Sequence, residues 1–352
     1  MIRAIVVDDS AFMRKAISTM LQSDAGIEVV ATARNGREGV ELVAKHKPDV
    51  VTMDVEMPEM DGLTALRRIM AETPTHVIMI SSLTTDGSHA ALTAMKFGAA
   101  DVFAKEASTI SLNITKLQPE LVERVKALAQ AGKKRFASKA APGSACVRAD
   151  APAFKPGQFD LLCIGSSTGG PPVLEQVLRA VPASFRGPVI AAQHMPEMFT
   201  RSMAERLGEQ CGLPVKHVEN GMPLAGGVIH ICPGGKNTHI RRGAGGRMTL
   251  LCNQEPAGTL YKPSVDVLLS TAAAAAGART LAIILTGMGD DGVRGARELH
   301  AKGGVILAQN EETCVVYGMP RAVVVENLAM AALPPAGLAR SLSTLGAAQA
   351  AA

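Results

Sequence analysis

The chain has 352 residues, 47% hydrophobic but only 3% aromatic and without Trp, and a formal net charge of +4. That length exceeds a single core, so two domains are expected, with interiors built from Ala, Val, Ile, Leu and Met. The mild charge excludes the clustered basic face of a nucleic-acid binder, and the six scattered cysteines, with no CxxC pair, exclude a disulfide framework or zinc site.

Residues 1–130 alternate short apolar runs with amphipathic helical patterns. The runs are Ile2–Val7, Glu28–Ala33, Val50–Met53, Val77–Ile80 and Asp101–Phe103. The helical patterns cover Phe12–Leu21, Gly36–Ala44, Gly62–Met70, Gly87–Phe97 and Leu117–Ala129. Runs that are apolar throughout suit a parallel sheet buried on both faces, and the strict alternation predicts a doubly wound α/β domain. Residues 131–158 turn to Ala, Gly, Pro, Ser and Lys without sustained period and read as a flexible linker. A second doubly wound domain is expected over residues 159–345, with strands at Phe159–Ile164, Val189–Gln193, Val228–Ile231, Leu281–Leu285 and Val305–Ala308. Glycines 243, 245 and 246 split His239–Cys252 into a hairpin, and the Ala-rich tail after Pro334 is expected to fray. The opening MIRAIVVDDS lacks a signal-peptide layout and no apolar run is long enough to span a bilayer, so a cytoplasmic location without membrane insertion is expected.

Asp8 and Asp9 fall at the end of the first strand and Asp54 at the end of the third. Carboxyl ends of neighbouring strands share one crevice, where grouped carboxylates repel each other unless a divalent cation sits among them. Oxygen-only ligands suit Mg²⁺, and an aspartate beside it is placed to act as a nucleophile toward a phosphoryl group. Ser81 ends the fourth strand and Lys105 follows the fifth, supplying a hydroxyl and an ammonium for phosphoryl oxygens. One acid at a strand end reads as a solvated loop residue, but this set falls together at the ends of four strands of one sheet.

The stretches VVDDS, MDVEMPEMDG, MISSLT and FAKE resemble the response-regulator receiver domain over residues 1–130. The resemblance implies that Asp54 is the phosphorylation site, that Asp8 and Asp9 hold Mg²⁺ with it, that Ser81 is the switch hydroxyl and that Lys105 contacts the phosphate. Glu106 departs from the Pro usual in that family.

In the second domain the first strand runs into Gly165-Ser166-Ser167-Thr168-Gly169-Gly170, followed by Pro171, Pro172 and an amphipathic helix. Gly165-x-Ser167-x-Gly169 has the spacing of a strand–turn–helix nucleophile elbow, whose helix N-terminus offers N–H groups to an oxyanion. A phosphate-cradling loop is the rival reading, although G-x-G-x-x-G and a Walker lysine are both missing. A nucleophilic serine needs a base and a group that orients the base. His194 ends the strand Val189–Gln193, and Asp290 and Asp291 follow the strand Leu281–Leu285, so all three elements sit at carboxyl ends of one sheet. His239 is a weaker site-lining candidate.

The stretches IGSSTGGPP, AAQHMPEMFTRSMAERL, KPSVDVLLSTA, ILTGMGDDGVRGAREL and AQNEETCVVYGMPRA resemble the catalytic domain of the chemotaxis protein-glutamate methylesterases, the CheB family. The resemblance implies that Ser167 is the nucleophile, His194 the base and Asp291 the orienting acid, with Thr168 and Met288 lining the oxyanion site. It further implies a phosphorylation-activated serine hydrolase that demethylates glutamate methyl esters and deamidates glutamines, using no cofactor for the hydrolysis. Methyl-accepting chemoreceptors are the implied substrate and a histidine kinase the implied phosphodonor. Lys262 departs from a commoner Arg, and Tyr317 from a usual Phe. The competing reading is a response regulator whose output domain binds a partner without catalysis.

Overall fold

In the computed structural model, residues 1–82, 84–105, 110–137 and 151–346 are described, and they fall in two compact units, residues 1–142 and 143–352. Glu106, whose identity departs from the receiver pattern, lies outside the described residues.

The first unit runs β1 (Ile2–Val7), α1 (Ala11–Gln22), β2 (Ile27–Ala33), α2 (Gly36–His46), β3 (Val50–Asp54), α3 (Gly62–Glu72), β4 (His76–Ser82), α4 (Thr85–Lys96), β5 (Asp101–Lys105) and α5 (Ile110–Ala137). All pairings are parallel and the strand order is β2-β1-β3-β4-β5, so β1 and β3 flank the point where the winding reverses. The alternation expected from the sequence is present because strands such as Val50–Asp54 are buried on both faces. Helix starts carry their own stop signals for the strands: Asn35, Asp61 and Thr84 cap α2, α3 and α4 by accepting from Glu38, Thr64 and Gly87 N–H groups.

The second unit runs β6 (Leu161–Ser166), α6 (Gly170–Arg179), β7 (Val189–Gln193), α7 (Glu197–Gly208), β8 (Val215–His217), β9 (Ile229–Ile231), β10 (Asn237–Arg242), β11 (Met248–Asn253), α8 (Val265–Ala275), β12 (Thr280–Ile284), α9 (Val293–Ala301), β13 (Val305–Gln309), α10 (Met319–Val325), β14 (Ala331–Leu333) and α11 (Pro335–Ser343). Seven strands form one parallel sheet in the order β14-β13-β12-β6-β7-β9-β8, and β10 and β11 form the expected antiparallel hairpin. Its switch point lies between β6 and β12. Strand residues Leu161, Ile190, Leu281 and Ile306 are fully buried, each worth about 1.5–3 kcal/mol of transfer free energy.

Two expectations need correction. The segment expected as linker over 131–158 is helical as far as Ala137, because Ala, Lys and Arg are strong helix formers continuing a stripe of buried Leu121, Val125 and Leu128. At its other end, Phe154 is buried edge-to-face on Phe159 at 5.1 Å and donates its N–H to Thr344 Oγ1, so that end is packed. The stretch after Pro334, expected to fray, forms α11, which buries Leu338 and Leu342, and residues 347–352 lie outside the described residues.

Candidate functional site

β6 ends at Ser166, and the chain turns through Ser167, Thr168 and Gly169 into α6. Gly169 holds a left-handed φ of 74°, where a side chain would also strike Val315. The Ser167 N–H donates to Thr286 O at 3.0 Å, fastening the elbow to the loop after β12. Thr286 is fully buried. Its hydroxyl lies 3.0 Å from Thr168 O and 3.2 Å from Val316 O and accepts from the Val315 and Val316 N–H groups, both at 3.1 Å. One threonine thus joins three loops around the serine.

Parallel pairing puts Ser166 opposite Gln193, so Ser167 and His194 occupy the next positions at the carboxyl ends of β6 and β7. Each is only 7% exposed. His194 Nε2 lies 2.8 Å from Asp291 Oδ2. The same carboxylate accepts from Ser264 Oγ at 2.9 Å and from the N–H groups of Val265 at 2.7 Å and Asp266 at 3.0 Å. Burial pushes the Asp291 carboxyl up, but the His194 bond and charge and the backbone donors outweigh it and hold the group below the usual carboxylate range. Spacing left two aspartates open; Asp290 is exposed, and Asp291 is the one on the histidine.

With Nε2 committed to Asp291, Nδ1 is the imidazole nitrogen left over; it is buried without a hydrogen-bond partner among the described residues, Ser167 Oγ included. Gly287 passes against the serine, for a Cβ placed on it would stand 2.8 Å from Ser167 Cβ, and it delivers the half-buried Met288 to the site. Thr168 is buried on the elbow itself. His239, by contrast, spends Nε2 on Asn253 Oδ1 and Glu255 O, both at 3.0 Å, and anchors the hairpin. Sequence reasoning missed Tyr261, whose ring stacks on His194 at 4.5 Å between centroids and 12° between planes. No spacing signal marks it, because it reaches the site from a loop remote in sequence.

In the first unit, Asp8 is fully buried, Asp54 nearly so and Asp9 exposed, with one carboxylate oxygen of each within 4.8 Å of the others. Lys105 Nζ lies 2.9 Å from Asp8 Oδ2 and 2.6 Å from Asp54 Oδ2. Burial raises the Asp54 carboxyl to about 6; Lys105 opposes that rise and the Asp8 charge adds to it. Lys105 is lowered by burial, yet the bonds and charges of Asp54 and Asp8 lift it above its usual range. Arg14, also missed from the sequence, grips the loop by donating to Asp8 O at 2.8 Å and Asp9 O at 2.9 Å. Ser81 sits in β4 with its hydroxyl donating to Gly87 O at 2.9 Å, toward the start of α4. Close-set oxygen donors carrying excess negative charge fit a hard divalent cation.

Among the described residues no helix is long and apolar enough to cross a membrane. The cysteines described are free thiols, and burial pushes Cys232 up to about 12, which makes it inert.

Residues 162–342 match the CheB methylesterase family and residues 4–115 the response regulator receiver domain family. A protein-glutamate methylesterase/protein-glutamine glutaminase of Oleidesulfovibrio alaskensis is 48% identical, the alignment covering 94% of this chain and 95% of that protein. Its counterpart from Nitratidesulfovibrio vulgaris is 46% identical with coverages of 94% and 95%. The crystal structure of the Thermotoga maritima CheB methylesterase catalytic domain is 36% identical and covers 53% of this chain and 98% of its own, with a TM-score of 0.51. With a receiver at its N-terminal end and the Ser167 elbow in a methylesterase fold, the chain belongs to the CheB family of protein-glutamate methylesterases/protein-glutamine glutaminases.

Proposed function

We propose that this protein hydrolyses glutamate methyl esters, and glutamine amides, on the cytoplasmic helices of methyl-accepting chemoreceptors, under control of phosphorylation at Asp54. The observation that carries the reading is the 2.8 Å contact between His194 Nε2 and Asp291 Oδ2 beside Ser167, at the switch point of the seven-stranded sheet. Ser167 Oγ attacks the ester carbonyl while its proton passes to His194 Nδ1, and Asp291 holds the imidazolium that forms. N–H groups near Thr168 and Met288 receive the oxyanion. The acyl–oxygen bond breaks and methanol leaves with the proton from His194. Water, deprotonated by the same nitrogen, then cleaves the acyl-serine to give glutamate and free Ser167. A glutamine follows the same course and releases ammonia. Ser, His and Asp supply the groups this hydrolysis uses, so no cofactor is assigned to it.

In the receiver, over residues 1–130, an Asp54 carboxylate oxygen attacks the phosphorus of a kinase phosphohistidine, and the P–N bond breaks with the electron pair returning to the imidazole. Asp8, Asp9 and Asp54 would hold Mg²⁺, which supplies charge neutralisation for the phosphoryl oxygens. Lys105 and Ser81 would bind the transferred phosphoryl group. The catalytic domain is assigned to residues 159–345. A cytoplasmic protein that neither binds nucleic acid nor enters the membrane fits these substrates. The test is methanol release from a methylated receptor fragment, with and without a small phosphodonor. Ser167→Ala is expected to abolish release while Asp54 still accepts phosphate; hydrolysis retained in that variant would end the assignment.

A further inference from the structure

The His194 imidazole is held by one hydrogen bond, from Nε2 to Asp291, while Nδ1 has no partner among the described residues. The covalent bond at Cγ and one hydrogen bond at Nε2 leave the tilt of the ring plane to whatever packs on its face. Proton transfer between Ser167 and Nδ1 needs that plane held, because general-base catalysis falls off with misaligned geometry. A second constraint is therefore required, and it comes from outside the triad.

Tyr261 provides it. Its ring lies nearly parallel to the imidazole at 4.5 Å and 12°. Its hydroxyl reaches over the loop that carries Met288 and Asp291, within 3.7 Å of where a Cβ on Gly289 would stand. The tyrosine itself sits on a stiff support. Gly235 N–H donates to Lys262 O at 3.0 Å, Lys262 Nζ to Gln254 Oε1 at 2.7 Å, and Gln254 Nε2 to Gly235 O at 2.8 Å, closing a ring of bonds at the neck of the loop. Asn237 Nδ2 ties the same loop at Glu255 O and Thr259 Oγ1, both at 3.0 Å. Its chain neighbour Leu260 is 81% exposed, so the loop offers one side chain to solvent and turns the next onto the catalytic histidine.

We propose that Tyr261 is a positioning residue of the hydrolase: its ring face fixes the plane of His194, keeping Nε2 on Asp291 and Nδ1 toward Ser167. The stacked face carries this role. It rests on the hydrolytic reading above, and the test separates the two. Tyr261→Leu keeps apolar bulk but no flat face; in the full chain with phosphodonor it is expected to lower kcat about three- to tenfold with KM little changed. Tyr261→Phe restores the face and is expected to bring kcat back within about twofold of the parent. The proton between His194 and Asp291 supplies a readout independent of turnover: its low-field NMR resonance should persist in Tyr261→Phe and broaden into exchange with water in Tyr261→Leu, at equal melting temperatures. Parent kcat and a sharp resonance in Tyr261→Leu would overturn the proposal. Hydrolysis surviving in Ser167→Ala would instead overturn the underlying reading, whatever Tyr261 does.

Discussion

The Ser166 hydroxyl donates to Gln193 Oε1 at 2.6 Å and so turns the amide to place Nε2 2.9 Å from Ser167 O. Ser166 and Gln193 are fully or almost fully buried, and water cannot replace either bond. Gln193→Leu strands the buried Ser166 hydroxyl, at about 1–3 kcal/mol, and removes one of two bonds to Ser167 O, which still accepts from the Gly170 N–H at 2.8 Å. The catalytic-domain melting temperature should then drop by about 2–4 °C for each kcal/mol lost, and a serine-directed phosphonate should label Ser167 more slowly. A variant with the parent's melting temperature and labelling rate would show that the amide does not hold the elbow.

Asp290 and Asp291 give opposite predictions although they are adjacent. Asp291→Asn keeps the shape but removes the charge that receives the imidazolium, so kcat should fall by about 10³–10⁴. Asp290 is exposed, and Asp290→Asn should leave the rate within about twofold. The folded-state carboxyl of Asp291 is held low, so its contribution to stability is present above the usual carboxylate pKa and lost as pH falls through the lowered value. The stability gap between parent and Asp291→Asn should accordingly be full at pH 7 and close in acid. Calorimetry across that range, with kcat of both variants, checks the assignment.

The sheets were legible because runs such as Val50–Asp54 are buried on both faces and leave no polar alternation to confuse the period. The site followed from them, since strand ends in a parallel sheet converge whatever the loops do. Three-residue strands such as Val215–His217 and Ala331–Leu333 carry too little sequence to show a period, and both escaped notice. Spacing alone left Asp290 and Asp291 open, because the turn after β12, which Gly289 and Gly292 make with positive φ of 77° and 104°, decides which one faces the histidine; the family resemblance selects Asp291. Tyr261 was invisible for a different reason: stacking on His194 is a tertiary contact, and nothing in the local pattern of its loop announces it. Helix α5 ran on to Ala137 because a composition of Ala and Lys, read as linker, also has high helix propensity.

Asp54 couples the receiver's stability to pH in the opposite sense to Asp291. Its folded carboxyl is raised from 3.8 to about 6, so the folded state binds the proton more tightly than the unfolded chain. Stability therefore declines as pH rises from about 4 through about 6 and is level above that. Asp54→Asn is neutral at every pH and escapes the decline. In buffer free of divalent cation, its receiver should melt above the parent's at pH 8 and converge with it near pH 4. A gap of the same size at both values would mean that the buried charge is not what Asp54 contributes. The same variant should show no phosphodonor stimulation of methanol release.

Lys105 is the countercharge that keeps Asp8 and Asp54 together, and a divalent cation would compete for the same duty. Lys105→Ala leaves two buried carboxylates uncompensated, which should cost about 3–5 kcal/mol at pH 8 without added metal. Mg²⁺ should return more stability to that variant than to the parent, since it then supplies the missing positive charge. Asp9 is exposed and makes a cleaner probe of the ligand set. Asp9→Asn removes one anionic oxygen with little effect on the apo fold, and the Mg²⁺ concentration needed for a given rise in melting temperature should increase about tenfold. The measurement is a thermal shift titrated with MgCl₂ at constant ionic strength. An Asp9→Asn curve superimposed on the parent's would remove Asp9 from the set, and a Lys105→Ala curve flat in Mg²⁺ would mean that the acidic crevice is not a cation site.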